Sequence, residues 1–224
     1  MALSGEGLVM TTAMLMSSGM YLAQGALVTI GLSLGIIAVA TVAGMLLALL
    51  RLYSWKPLGL LAAAYGLVAR GVPLLVLLIG SYFSLPYLGL DLPLWLVVVL
   101  VGGLYFGAYV AEVFRAALAA VPRTQWDAGR ALGMRRVQLF TIVILPQARR
   151  LSLPPYLNVA LVAVKNTSLV SAIGGWELVA AGREIGERTM EILPAYLAVA
   201  AFYFVICFSI SQIGRHVEKK MRYV

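Results

Sequence analysis

Residues 21–50 read YLAQGALVTIGLSLGIIAVATVAGMLLALL, thirty positions without one charged side chain. A helix that crosses the hydrocarbon core of a bilayer needs about 20 largely apolar residues, so this stretch can span a membrane alone. It lacks the strict alternation of a barrel strand and is far too long for a core strand. The twenty residues before it contain no lysine or arginine. The basic start of a cleavable signal peptide is therefore missing, and the stretch is expected to act as an uncleaved insertion signal. Residues 1–19, rich in Met, Ser and Thr, are expected to form a short amphipathic segment on the membrane surface.

Four more stretches of the same kind follow, at about 58–83, 94–120, 155–173 and 194–213. Each is bounded by charge or by helix breakers, among them Pro57, Pro86, Pro93, Pro122, Gly174-Gly175 and Pro194. The whole chain is 62% hydrophobic and 12% charged, against roughly 45–50% and 25% in soluble domains. No polar domain interrupts the series. The expectation is one all-α integral membrane domain, residues 1–224, with five transmembrane helices.

With five spans the loops alternate sides, and the charges divide unevenly. One side would hold Arg51, Lys56, Arg123, Arg130, Arg135, Arg136, Arg149, Arg150, Arg215, Lys219, Lys220 and Arg222. The other would hold only Arg183 and Arg188, with most of the acids. Cytoplasmic loops carry the basic excess, so the amino terminus should face out and the carboxy terminus the cytoplasm. The formal charge of +8 thus marks topology rather than a nucleic-acid surface. Cys207 is the single cysteine; it lies in an apolar run and reads as a packing residue. The single histidine, His216, stands in a basic tail and suggests neither metal nor catalysis. Trp55, Trp95 and Trp176 fall at expected interfaces and read as anchors.

No internal repeat is visible. Carriers that act alone commonly build their site between two related halves, so the pathway here is expected between two copies or two related chains. The basic loop between the third and fourth spans shows more. Pro122 ends a span, and Thr124 stands three residues before Asp127, as a helix N-cap with an acid at the third helical position would. A short helix through Trp126, Ala128, Ala131 and Leu132 should end at Gly133. A second apolar segment, 137–145, leads to Pro146 and a basic stop at Arg149-Arg150. The unit, about 123–150, is too short to bury a core of its own and is expected to pack on something else.

Asp127-Ala128-Gly129, three residues, Gly133, nine residues and Val143-Ile144-Leu145-Pro146 resemble the "EAA" loop of ABC importer permeases. That pattern is Glu-Ala-Ala, three residues, Gly, nine residues, Ile-x-Leu-Pro. Asp127, Gly129 and Val143 depart from it, while the spacing is intact. Arg70-Gly71-Val72-Pro73-Leu74, Ala111-Glu112-Val113-Phe114-Arg115 and Lys165-Asn166-Thr167-Ser168-Leu169 resemble segments of the polar amino acid branch of that family. The resemblance implies a type I importer permease fold in a bacterial inner membrane. It also implies an ATPase-coupling helix carrying Thr124, Trp126, Asp127, Ala128, Gly129, Arg130, Leu132 and Gly133. The implied partners are ATPase subunits, a second permease subunit (itself or a related chain), an extracytoplasmic substrate-binding protein and a polar amino acid. Asp127 would pair with basic groups on the ATPase or cap its own helix.

Arg70, Glu112, Arg115 and Lys165 lie inside the expected spans, where Lys or Arg near a helix centre costs about 2.5–3.5 kcal/mol. Glu112 and Arg115, three apart, share a helix face. They read first as a structural ion pair, with each other or with Arg70, and second as pathway groups. For Lys165 both readings stay open, because Asn158 lies seven residues earlier on the same face and Asn166, Thr167 and Ser168 adjoin it. Gly71 and Pro73 can break the helix beside Arg70, which suits a pathway wall. The chain lacks the glycine-rich phosphate loop with its lysine, so no cofactor is expected in it; ATP and Mg would sit on partner subunits. It also lacks a metal-ligand cluster and a Ser/His/Asp set, so no enzyme is expected. An ion-coupled carrier or channel and a non-transporting assembly factor are the rival readings. The missing repeat counts against the first, Arg70 and Lys165 against the second.

Overall fold

The structure, a computed structural model, describes the backbone of residues 5–53 and 55–222 and the side chains of residues 18–52 and 55–221. Helix α1 runs from Gly5 to Tyr53 and includes an apolar segment, Ser18–Leu52, long enough to cross a membrane. Residues 5–19 continue this helix. The amphipathic face expected for residues 1–19 falls almost wholly on side chains outside the described residues.

The second stretch is a bent pair. Helix α2 (Lys56–Gly71) and helix α3 (Leu74–Ser84) meet at 103° around Val72 and Pro73, whose backbone is extended. Proline removes a donor and pushes its predecessor out of the helical region, so the break lies where Gly71 and Pro73 suggest it. A 3-10 turn, Leu85–Leu88, closes α3, and helix α4 (Leu94–Ala120) crosses back. Together with helix α9 (Ile192–Arg222) and the long run before it, these make four continuous spans and one bent span, all helical.

Helix α4 is the hub. It packs on α1 through small residues: a Cβ on Gly107 would press on Ala43 and Gly44, and one on Gly103 would overlap Val39. Small residues one turn apart let backbones approach closely, which matters where lipid removes the hydrophobic drive between helices. The largest buried cluster joins Leu32 and Ile36 of α1, Leu74 and Leu78 of α3, Val98, Phe106 and Val110 of α4, and Ala163, Val170 and Ile173 beyond.

The loop after α4 departs from its expected form at three points. Helix α5 (Arg123–Ala131) begins two residues early, with Pro122 rather than Thr124 at the cap position and no side-chain cap. Thr124 is therefore inside the first turn. Arg149-Arg150 is not a stop: helix α6 (Arg136–Gln138), a π-helical turn (Leu139–Ile144) and helix α7 (Leu145–Asn166) follow without interruption, extended by a 3-10 turn (Thr167–Ile173). The fourth apolar stretch thus belongs to a helical run that starts at Arg136. Pro146 sits in the first turn of α7, after the π turn, and Pro154 and Pro155 lie within it. Adjacent prolines offer no N–H to two carbonyls of the preceding turn, at a level where the side chains of Arg149, Arg150 and Leu151 are exposed. Finally, the loop does bury a small core: Val121, Leu139, Ile144 and Ala148, joined by Trp126, Phe140 and Leu118 of α4.

Helix α8 (Leu178–Thr189) packs on α1 and α9 through Leu22, Leu178, Ala181 and Val199. Trp176 belongs to this cluster. It meets Tyr21 edge-on at 5.4 Å and donates its Nε1–H to the Tyr21 hydroxyl, whereas Trp55 and Trp95 are exposed.

Candidate functional site

Two regions gather the residues with chemistry. The first is α5. Its end is a full Schellman turn: Gly133 N–H donates to the Arg130 carbonyl at 3.0 Å and Met134 N–H to that of Gly129 at 3.1 Å. Gly133 takes φ +71° to do so, a left-handed conformation that costs other residues about 1 kcal/mol or more. Gly129 is buried against Leu139, and a Cβ there would overlap that side chain. Trp126 packs inward, while Thr124, Asp127, Ala128, Arg130 and Leu132 are exposed. Asp127 pairs with Arg130 of its own helix at 3.6 Å. Leu132 is 81% exposed at the helix tip; with Ala128 it forms an apolar face bordered by charge, the composition of a contact surface.

The second region is a groove between α4 and α7. At its broad end Glu112 lies among three guanidinium groups. Arg51 Nη1 donates to Oε2 at 3.1 Å, Arg115 Nε donates to Oε1 at 3.0 Å, and Arg70 Nη1 stands 3.8 Å from Oε2. Arg70 Nε also donates to the Gly66 carbonyl at 2.9 Å, one turn before the bend. One carboxylate thus ties α1, α2 and α4 together, and two positive charges remain in surplus. A cavity of about 470 Å³ opens here, lined by Arg70, Tyr109, Glu112, Pro155 and Val159 among others. Beyond Tyr109 and Val159 a second cavity of about 240 Å³ continues past Tyr105, Asn158, Val162 and Asn166. The Tyr105 and Tyr109 hydroxyls are 3.2 Å apart.

Of the residues singled out in the sequence, Arg70, Glu112, Asn158 and Asn166 therefore share this groove. Arg115 donates to Glu112 through both Nε and Nη2, and its side chain also lines a recess beside the α5 loop. Lys165 is exposed and lines neither cavity. Thr167 and Ser168 are occupied locally, donating to the carbonyls of Val164 and Lys165. Thr167 is fully buried and 3.4 Å from the Tyr203 hydroxyl.

Sequence reasoning missed two features. One is the pair Tyr105 and Tyr109, which four apart line one face of α4. Glu177, placed among the loop acids, is fully buried. It caps α8 by accepting from Val179 and Ala180 N–H at 2.9 and 3.1 Å, and accepts from Thr29 and Tyr203 at 3.2 and 3.1 Å. The available signal was two polar residues, Thr29 and Tyr203, within otherwise apolar runs.

A family model described as "Binding-protein-dependent transport system inner membrane component" matches residues 40–223. The L-cystine transport system permease protein TcyB of Bacillus subtilis (strain 168) is 37% identical over 187 residues, covering 81% of this chain and 80% of its own. The glutamine transport system permease protein GlnP of Escherichia coli (strain K12) is 35% identical over 204 residues, covering 90% and 93%. Among solved structures, an amino acid ABC transporter with histidines superposes with a TM-score of 0.85 at 31% identity, over 98% of this chain and 100% of the other. An inward-facing MetNI methionine ABC transporter gives 0.76 at 18% identity, covering 90% and 96%, a likeness of fold.

Proposed function

The chain belongs to the binding-protein-dependent transport system inner membrane component family, and from that premise we propose that it is the permease through which an ABC importer takes up a polar amino acid. As a member it is a multi-pass membrane protein and a non-enzymatic transport component. The self-contained carrier reading is not favoured, since the similar proteins are ABC permeases. In this proposal the single domain lies in a bacterial inner membrane with its amino terminus outside. A second permease subunit completes the pathway, an extracytoplasmic binding protein delivers substrate, and ATP with Mg is bound by ATPase subunits below.

Helix α5 is the proposed ATPase contact, through Thr124, Asp127, Ala128, Arg130 and Leu132. The observation that carries this reading is its rigid seat. The Schellman turn at Gly133 and the packing of Trp126 and Gly129 fix α5 to the run that continues as α7. A push on α5 is then a push on the span that forms one wall of the groove. The α4–α7 groove is the proposed pathway, with Arg70, Glu112, Arg115, Asn158, Lys165, Asn166, Thr167 and Ser168 on or beside it. Its two surplus guanidinium charges suit the carboxylate every amino acid carries, and the amides and tyrosine hydroxyls suit a polar side chain. Glutamine and L-cystine, named for similar permeases, are substrates of that chemistry.

Affinity purification of the tagged chain, expressed with its neighbouring genes, tests the coupling role. An ATPase should co-purify with the native chain. Recovery should fall at least tenfold with Asp127→Ala plus Gly133→Ala, while membrane insertion is unchanged. Undiminished ATPase recovery and uptake would remove α5 from that role.

A further inference from the structure

We propose that the recess between the ends of α1 and α4 and the α5 loop is a binding site for an anionic phospholipid. The recess encloses about 680 Å³, and three arginines line it: Arg115 of α4, Arg130 of α5 and Arg136 of α6. No carboxylate is among its lining residues. Arg115 shares Glu112 with Arg51, and Arg130 meets Asp127 only at 3.6 Å between two largely exposed side chains. Arg136 has no ion-pair partner among the described residues. Guanidinium groups bind phosphate through paired, charge-assisted hydrogen bonds, and three around one recess are a site for a phosphate ester.

Three observations favour a lipid. The remaining walls are apolar or aromatic, including Leu118, Trp126 and Phe140, and so fit the glycerol and upper acyl carbons that a headgroup brings. The recess opens where Leu52 and Ala119 end two apolar helices, the depth at which spans leave the hydrocarbon and lipid phosphates lie. On α5, Trp126 and Arg130 face the recess, whereas Ala128 lies about 200° around the helix from Trp126. A partner seated on Thr124, Asp127, Ala128 and Leu132 therefore leaves the recess open to lipid, with Arg130 shared between the two surfaces.

The test is native mass spectrometry of the full-length chain released from detergent with equal amounts of phosphatidylglycerol and phosphatidylcholine of matched acyl chains. Neither ATPase nor binding protein is needed, so failure here is distinguishable from failure of the transport reading. Native chain should retain phosphatidylglycerol preferentially. Arg136→Gln should lower that preference about fivefold, the worth of one arginine near a charged headgroup, with Arg136→Lys between the two. Brominated phosphatidylglycerol should quench tryptophan emission in the native chain and much less in Trp126→Phe. Equal retention of the two lipids would overturn the proposal. So would retention unaffected by Arg136→Gln, or displacement of phosphatidylglycerol by millimolar inorganic phosphate, which would mark a site for free anions.

Discussion

Replacing Glu112 with glutamine leaves Arg51, Arg70 and Arg115 facing one another with no anion between them. Losing one partner of a buried ion pair costs about 3–5 kcal/mol because the remaining charge is uncompensated. The Glu112 side chain keeps 29% of its surface exposed, so a cost of about 1–3 kcal/mol is expected here. In a domain of this size that lowers the melting temperature by roughly 3–10 °C. Adding Arg51→Gln to Glu112→Gln should recover part of the loss, since it removes one of the unpaired cations. Thermal unfolding in detergent, run as a double-mutant cycle, reads both effects. A Glu112 that served only the pathway would change uptake and leave the melting temperature alone. The spacing of Glu112 and Arg115 made their pairing legible in the sequence, because three residues are one helical turn. Arg51 was not legible as a partner. It lies 61 positions away, and only the packing of α1 on α4 brings it near.

At the scale of elements, α8 rests on Glu177. Four donors point at that one carboxylate, two from the backbone of α8 and one each from α1 and α9. A second tie joins the Tyr21 hydroxyl to Glu184, and Arg188 lies over the Tyr21 ring at 5.5 Å. Glutamine at position 177 keeps one acceptor oxygen and turns the other into a donor facing Thr29 or Tyr203. An unsatisfied buried group costs about 1–3 kcal/mol. The loss should be centred on α8, because two of the four donors are the first backbone N–H groups of that helix. Hydrogen exchange should therefore quicken at residues 178–189 in Glu177→Gln, while residues 97–110 of α4 keep their protection. Equal acceleration in both segments would mean that Glu177 supports the whole bundle. Sequence patterns served unevenly here. The break at Gly71–Pro73 was legible, since proline acts there by local sterics. The run from Arg136 was hidden, since Pro146, Pro154 and Pro155 read as breakers, yet one falls in a first turn and two lie inside the helix just after the exposed residues 149–151. Thr124 looked like a cap because its hydroxyl could reach Asp127 N–H, but Pro122 had already begun the helix.

The proposed placement of the whole molecule across the membrane rests on its loop charges, and it would fix what each face can touch. Twelve basic residues stand on the side of α5 and two on the side of α8. The structure keeps these groups at opposite ends, since α5 follows the last turn of α4 while α8 joins the far ends of α7 and α9. The bias in short loops decides orientation during insertion, so α5 should face the cytoplasm and α8 the outside. Cys207 is the only cysteine, which makes the test clean. In a Cys207→Ser background, Glu187→Cys and Leu132→Cys each place one thiol on an exposed position, one per side. A membrane-impermeant maleimide should label position 187 in cells with a permeabilised outer envelope and label position 132 only after the inner membrane is opened. The reverse pattern would put α5 outside, where no ATP-driven partner could reach it, and the coupling proposal would fall with the orientation. The same protection of position 132 in sealed cells is what a helix reserved for a cytoplasmic ATPase requires.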